Sequence, residues 1–156
     1  MTFKRVLCAV DFSPGSQQAF LTAVEIARVY AASLHLIHVI EAQPVVSGWL
    51  PIDAMGKMTI EFQEKAAAAM EALVLSASPS VDGLSLTTEV VTGRAFVEIV
   101  RRAREWNADL IVLGAIGAAT SLGEAILGGT ADRVMKQAGC SVLIARSPGS
   151  DIGRHS

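Results

Sequence analysis

The residues best suited to chemistry lie in one segment, LIVLGAIGAATSLGEAILGGTADRVMKQAGCSVLIAR, from Leu110 to Arg146. An apolar run stops at Gly114, Gly117 follows, and a second cluster, Gly128 and Gly129, precedes Thr130 and a helical pattern. Lacking Cβ, glycines let backbone N–H groups approach an anion closely, and a helix beginning just after them adds partial positive charge at its N-terminus. The anion this pattern suits is the phosphate chain of a nucleotide. A tight strand-to-loop turn with no ligand would use the same glycines. Near the N-terminus, Asp11-Phe12-Ser13-Pro14-Gly15-Ser16 breaks a β-prone run. Asp11 there can serve a ligand, or it can cap the helix that follows or the turn before it.

Strand and helix signals alternate along the chain, which predicts a parallel sheet with helices on both faces. The expected strands are Arg5 to Val10, Ser33 to Ile40, Leu84 to Val91, Asp109 to Leu113 and Ser141 to Ala145. Phe20, Ala23, Val24, Ala27 and Tyr30 recur at helical spacing as the buried side of a first helix. Glu41 to Gly56, with Pro44, Gly48, Pro51 and Trp49, reads as a long surface loop. Met58, Phe62, Ala66, Met70 and Leu73 then line a second helix as core. Phe96, Ile99, Val100, Ala103 and Trp106 face inward from a third, with Arg101, Arg102, Arg104 and Glu105 on its wet side. A fourth helix runs from Thr130 to Ala138. Ligands in such sheets bind outside the strand C-termini where strand order reverses. Asp11, Val39 and Gly114 all fall at or near predicted strand C-termini, so the topology can bring them to one crevice.

The glycine segment resembles the nucleotide-binding loop of the universal stress protein family, whose ATP-binding members carry G-x-x-G, nine residues, then G-[S/T]. Gly114-Ala115-Ile116-Gly117 supplies the first half, and Leu122 to Gly128 resembles the stretch that leads to the second. Two departures stand out. Ten residues, Ala118 to Leu127, separate Gly117 from Gly128, and the usual hydroxyl position is Gly129, with Thr130 one place later. The strand, Asp, Ser and helix order at the N-terminus is also the family's, and the resemblance runs from Lys4 to Arg146. It implies a single-domain α/β fold with a five-stranded parallel sheet in the order 3-2-1-4-5. It further implies ATP as ligand, with Asp11 near adenine and ribose, Val39 and Ala9 beside the adenine, Leu113 lining base or ribose, and Gly114, Gly117, Gly128, Gly129 and Thr130 around the phosphates. Asp132, in the first turn of the fourth helix, would repel phosphates unless a cation such as Mg²⁺ intervenes.

The 156 residues are enough for one domain, expected over 1–146, with a disordered tail over 147–156. A net charge of −2 and a pI near 5.9 leave no electrostatic footprint for nucleic acid. No apolar run approaches the roughly twenty residues of a membrane span. Cys8 and Cys140 lie in apolar strand regions of a chain without a leader-like start, so buried, reduced thiols and a cytoplasmic location are expected. His35 and His38 are an odd number apart in one strand and point to opposite faces, which argues against a joint metal site. Each reads as a packed or edge histidine. Arg94 begins a helix near the ligand edge, where it can be either functional or simply solvated.

No lysine of a P-loop, serine elbow, HExxH or CxxC motif is present, and the glycine loop carries no cation to stabilise a transferring phosphoryl group. The expectation is therefore a nucleotide-binding regulatory protein and not an enzyme. Two other readings stay open: a nucleotide-free dimeric interaction module, and a nucleotide-transforming enzyme on the same fold. Ser141 to Ala145, apolar and outermost, is expected to pair with its copy in a homodimer, because an unpaired edge strand is a liability. Protein clients are expected but not identifiable from the sequence.

Overall fold

Four of the five short β-prone runs are followed by a helical repeat, and parallel strands joined in that way are connected by right-handed crossovers as a rule. The computed structural model describes residues 1–41, 52–115 and 127–146. The elements are β1 (Arg5–Ala9), α1 (Pro14–Tyr30), β2 (Ser33–Glu41), α2 (Ile52–Ser76), β3 (Leu86–Gly93), α3 (Ala95–Glu105), β4 (Leu110–Gly114), α4 (Gly129–Gln137) and β5 (Ser141–Ala145). They form one five-stranded sheet in the order β3-β2-β1-β4-β5, as expected, and every pairing is parallel. In β1, Cys8 stands opposite Leu36 of β2 and Val112 of β4. The order reverses at β1, because β2 lies on one side of it and β4 on the other.

Alternation along β1 divides the interior in two. Val6, Cys8 and Val10 pack with Phe20, Ala23, Val24 and Ala27 of α1 and with Met70 of α2. Leu7 and Ala9 pack with Ile99, Val100 and Ala103 of α3 and Val134 of α4. Ser13 caps α1 by accepting from Ser16 N–H at 3.3 Å, with Pro14 in the first turn. Ser13 thus caps the helix, while Asp11 caps the turn before it, its Oδ1 accepting from Ser13 N–H at 3.0 Å. Tyr30, expected inside, is 39% exposed at the helix end and meets Phe3 edge to face at 5.3 Å.

The second helix departs most from expectation. It begins at Ile52, inside the segment read as loop, and while Ala66 and Met70 are buried, Met58 and Phe62 are 44% and 53% exposed. Length accounts for only part of this. A 25-residue helix is about 37 Å long, whereas the nine-residue β2 spans about 30 Å and the five-residue β1 about 17 Å. The helix therefore outruns β2 by about 7 Å, roughly its first five residues.

His35 and His38 do face opposite sides, but neither is a simple edge residue. His35 bonds Thr87 Oγ1 at 2.6 Å and Glu89 Oε2 at 2.8 Å. Glu89 also pairs with Arg102, which is thereby drawn off the wet side of α3, while Arg101 stays there with Glu98 and Glu105. Partial burial pushes the Glu89 carboxyl up, but hydrogen bonds from His35 and Arg102 outweigh it and hold the group below the usual carboxylate range. Cys8 is buried and free, and burial pushes its thiol far above the ordinary range. Cys140, also free, is only partly buried and lies in the turn before β5, not in the strand. Among the described residues no helix is long and apolar enough to cross a membrane.

Candidate functional site

The C-terminal ends of β1, β2 and β4 open into a cleft of about 1170 Å³, larger than most small-molecule pockets. Ala9, Asp11, Val39, Leu113, Gly114, Gly128, Gly129 and Thr130 all line it. The crevice expected at the reversal of strand order therefore gathers eight of the nine residues singled out in the sequence. The ninth, Gly117, lies outside the described residues, as do Trp49, the extra residue of the glycine loop and the tail beyond Arg146.

Local folding fixes the Asp11 side of the cleft. Asp11 Oδ1 accepts from Ser13 N–H at 3.0 Å and from the Ser13 hydroxyl, and Asp11 N–H donates to Ser16 Oγ at 3.2 Å. Phe12, between them, has φ +65°, a left-handed conformation that costs energy for a residue with a Cβ. The carboxylate is thus set at the mouth of β1 by a strained turn. Beneath it, His38 Nδ1 lies 2.7 Å from Val10 O. Since a carbonyl only accepts, Nδ1 carries the proton, and the ring packs 4.6 Å from that of Phe12.

The glycine side is built differently. Gly128 N–H donates to Ala115 O at 2.7 Å, tying together the two ends of the connection between β4 and α4. Gly128 is the N-cap of α4 and offers no side chain to the first-turn amides. Those amides, from Gly129, Thr130 and Ala131, belong to residues lining the cleft, and the helix dipole adds positive potential to them. The individual glycines have separate reasons. A Cβ on Gly114 would fall 2.7 Å from the carbonyl carbon of Gly15, so close packing of β4 on the start of α1 already requires glycine there. A Cβ on Gly129 would meet nothing within 4 Å.

Ser16, His38, Glu41, Phe96 and Arg133 also line the cleft, and the sequence had marked none of them for a ligand. Arg133 had a signal: it lies three residues after Thr130 and shares its helix face. Arg94, left open between function and solvation, is part of the wall. Cations absent from the glycine loop are thus supplied by α3 and α4. Asp132, whose charge suggested a cation, is neutralised by Lys136 at 2.9 Å. No group of three or more His, Cys, Asp and Glu that could hold a metal occurs among the described residues.

The model of the Universal stress protein family matches residues 2–146. The chain belongs to this family. A universal stress protein of Methanocaldococcus jannaschii is 32% identical over 147 residues, covering 94% of this chain and 84% of the relative. The universal stress protein UspA from Lactobacillus plantarum has a similar structure, with a TM-score of 0.76 and 28% identity over 94% of this chain and 99% of that one. A crystal structure of a universal stress protein in complex with cAMP shares the fold, with a TM-score of 0.69 and 22% identity over 94% and 99% of the two chains. The family and the sheet order are thus those that the resemblance implied.

Proposed function

We propose that this universal stress protein is a regulatory adenine-nucleotide binder that holds ATP in the cleft between β1, β2 and β4. The observation that carries the reading is the convergence of Asp11, Val39 and the Gly128 to Thr130 helix start on one large cleft at the reversal of strand order. The uncapped first turn of α4 would cradle phosphates. Ala9, Val39 and Leu113 would face the base and ribose, with Asp11 on the ribose and Gly114, Gly117, Gly129 and Thr130 along the phosphates. The family relative bound to cAMP lends support to an adenine ligand. With Asp132 engaged by Lys136, Mg²⁺ would be held chiefly by the phosphates themselves. The glycine loop carries neither a P-loop lysine nor any other cation to stabilise a transferring phosphoryl group, so occupancy rather than turnover would be the output. A cytoplasmic location fits the two unpaired thiols.

The same proposal includes a homodimer through β5, the outer strand next to β4. Val142, Leu143 and Ile144 are only partly buried there, whereas the opposite edge, β3, exposes Thr87, Thr88 and Thr92. The apolar edge is the one that needs a cover. A nucleotide-free module is the second reading, favoured by the packing that alone explains Gly114 and by the missing hydroxyl at Gly129. Thermal melts with and without ATP and Mg²⁺ separate the two. Ligand at a hundred times its Kd should add about 2.7 kcal/mol of stability, while an unchanged midpoint at millimolar ATP would favour the nucleotide-free module.

A further inference from the structure

Two guanidinium groups share one aromatic ring in the wall of the cleft. Arg94, the N-cap of α3, has its Cζ 5.2 Å from the Phe96 centroid, and the Cζ of Arg133, in α4, lies 5.0 Å from the same point. Each gains from the ring quadrupole, and both guanidinium groups are exposed in the wall of the cleft. No ion pair among the described residues includes either arginine. The neighbouring acids have other partners. Glu98 pairs with Arg101, Asp132 with Lys136, and Glu41 Oε1 accepts from Ala95 N–H at 3.2 Å, capping α3 in place of the side chain that Arg94 does not provide. The first turns of α3 and α4 add their own positive ends to the same wall.

We propose that Arg94 and Arg133 form an anion subsite that takes a phosphate of the bound nucleotide, so that affinity rises with the number of phosphates. The inference rests on the nucleotide reading above and deepens it. A phosphate in the cleft meets guanidinium groups that no described acid pairs, and planar guanidinium forks match phosphate oxygens in geometry as well as charge. Phe96 holds the pair in place without neutralising it. This subsite also supplies the cations that the glycine loop lacks.

Calorimetry with three probes, ATP with Mg²⁺, tripolyphosphate and adenosine, tests it on the full chain and on Arg94→Gln, Arg133→Gln and the double variant. The expected result is a loss of about tenfold or more in ATP and tripolyphosphate affinity for each charge-assisted contact removed. Adenosine affinity and the ligand-free melting temperature should stay the same. Arg94→Lys and Arg133→Lys should restore part of the phosphate affinity, and they serve as the measured pair if the glutamine variants fold poorly. Phosphate affinities unchanged in the double variant would overturn the subsite, as would an equal loss of adenosine binding, which would make the arginines a base shelf. Arginine-dependent binding of tripolyphosphate with no preference for ATP and no adenosine binding would keep the subsite and refute the nucleotide reading. Wild-type protein that binds none of the three at millimolar concentration would refute both.

Discussion

Replacing Gly129 by serine should tighten ATP binding and leave the fold intact. Gly129 opens α4, lines the cleft, and has no atom within 4 Å of an added Cβ, so the new side chain enters free space without displacing backbone. Serine is also the better helix residue, by up to about 0.5 kcal/mol. A hydroxyl donating to a phosphate oxygen contributes about 1.5–3 kcal/mol, or about tenfold to a hundredfold in Kd. Gly114→Ala is the contrasting control in the same cleft. Its Cβ would lie 2.7 Å and 2.9 Å from the Gly15 carbonyl carbon and oxygen, backbone that cannot swing aside, and overpacking of that kind costs about 1–3 kcal/mol. Thermal melts of the ligand-free proteins and calorimetric titration with ATP and Mg²⁺ read both effects. A Gly129→Ser protein that melts like wild type but binds ATP no more tightly would refute the idea that the helix start faces phosphate.

Leu143→Lys should turn a β5-paired dimer into monomers by placing two lysines near the two-fold axis, read as halved mass by light scattering; a dimer indifferent to the change would rule out this edge. Because Glu89 is held below its unfolded value near about 4.3, the stability it contributes is full above that pH and is lost as pH falls through the folded value. Glu89→Gln should therefore flatten the acid side of the melting-temperature profile, and an unaltered profile would remove His35 and Arg102 as the cause. Met70→Ala should cost about 2–5 kcal/mol in denaturant unfolding, whereas Phe62→Ser, on the exposed half of α2, should change stability by less than about 0.5 kcal/mol. Equal losses would mean that Phe62 is core after all.

What the sequence conveyed followed the reach of its signals. Hydrophobic runs of strand length separated by helical repeats are local, and they located β1 to β5 within a residue or two. The right-handed crossover rule then limited how they could be ordered. Met58 and Phe62 were misread because a helical stripe records which side of a helix is apolar, not whether another element covers it. Asp11 and Ser13 are both good capping types, and the structure uses both, Ser13 for the helix and Asp11 for the turn before it, with Phe12 left-handed between them. The bonds joining His35, Glu89 and Arg102, and the Phe96 ring shared by Arg94 and Arg133, link residues on different elements. No periodicity connects such pairs. The glycines were legible as a group but not one by one, since a phosphate cradle and a close backbone approach both exclude side chains.

The central claim is that an adenine nucleotide occupies the cleft at the ends of β1, β2 and β4. Amide chemical shifts followed by NMR during titration with ATP and Mg²⁺ test it most directly. The account predicts that the largest changes fall on Asp11, Val39, Gly114 and the Gly128 to Ala131 helix start, and saturate together. Shifts that stay unmoved at millimolar ATP, or that cluster on the exposed half of α2 instead, would contradict it.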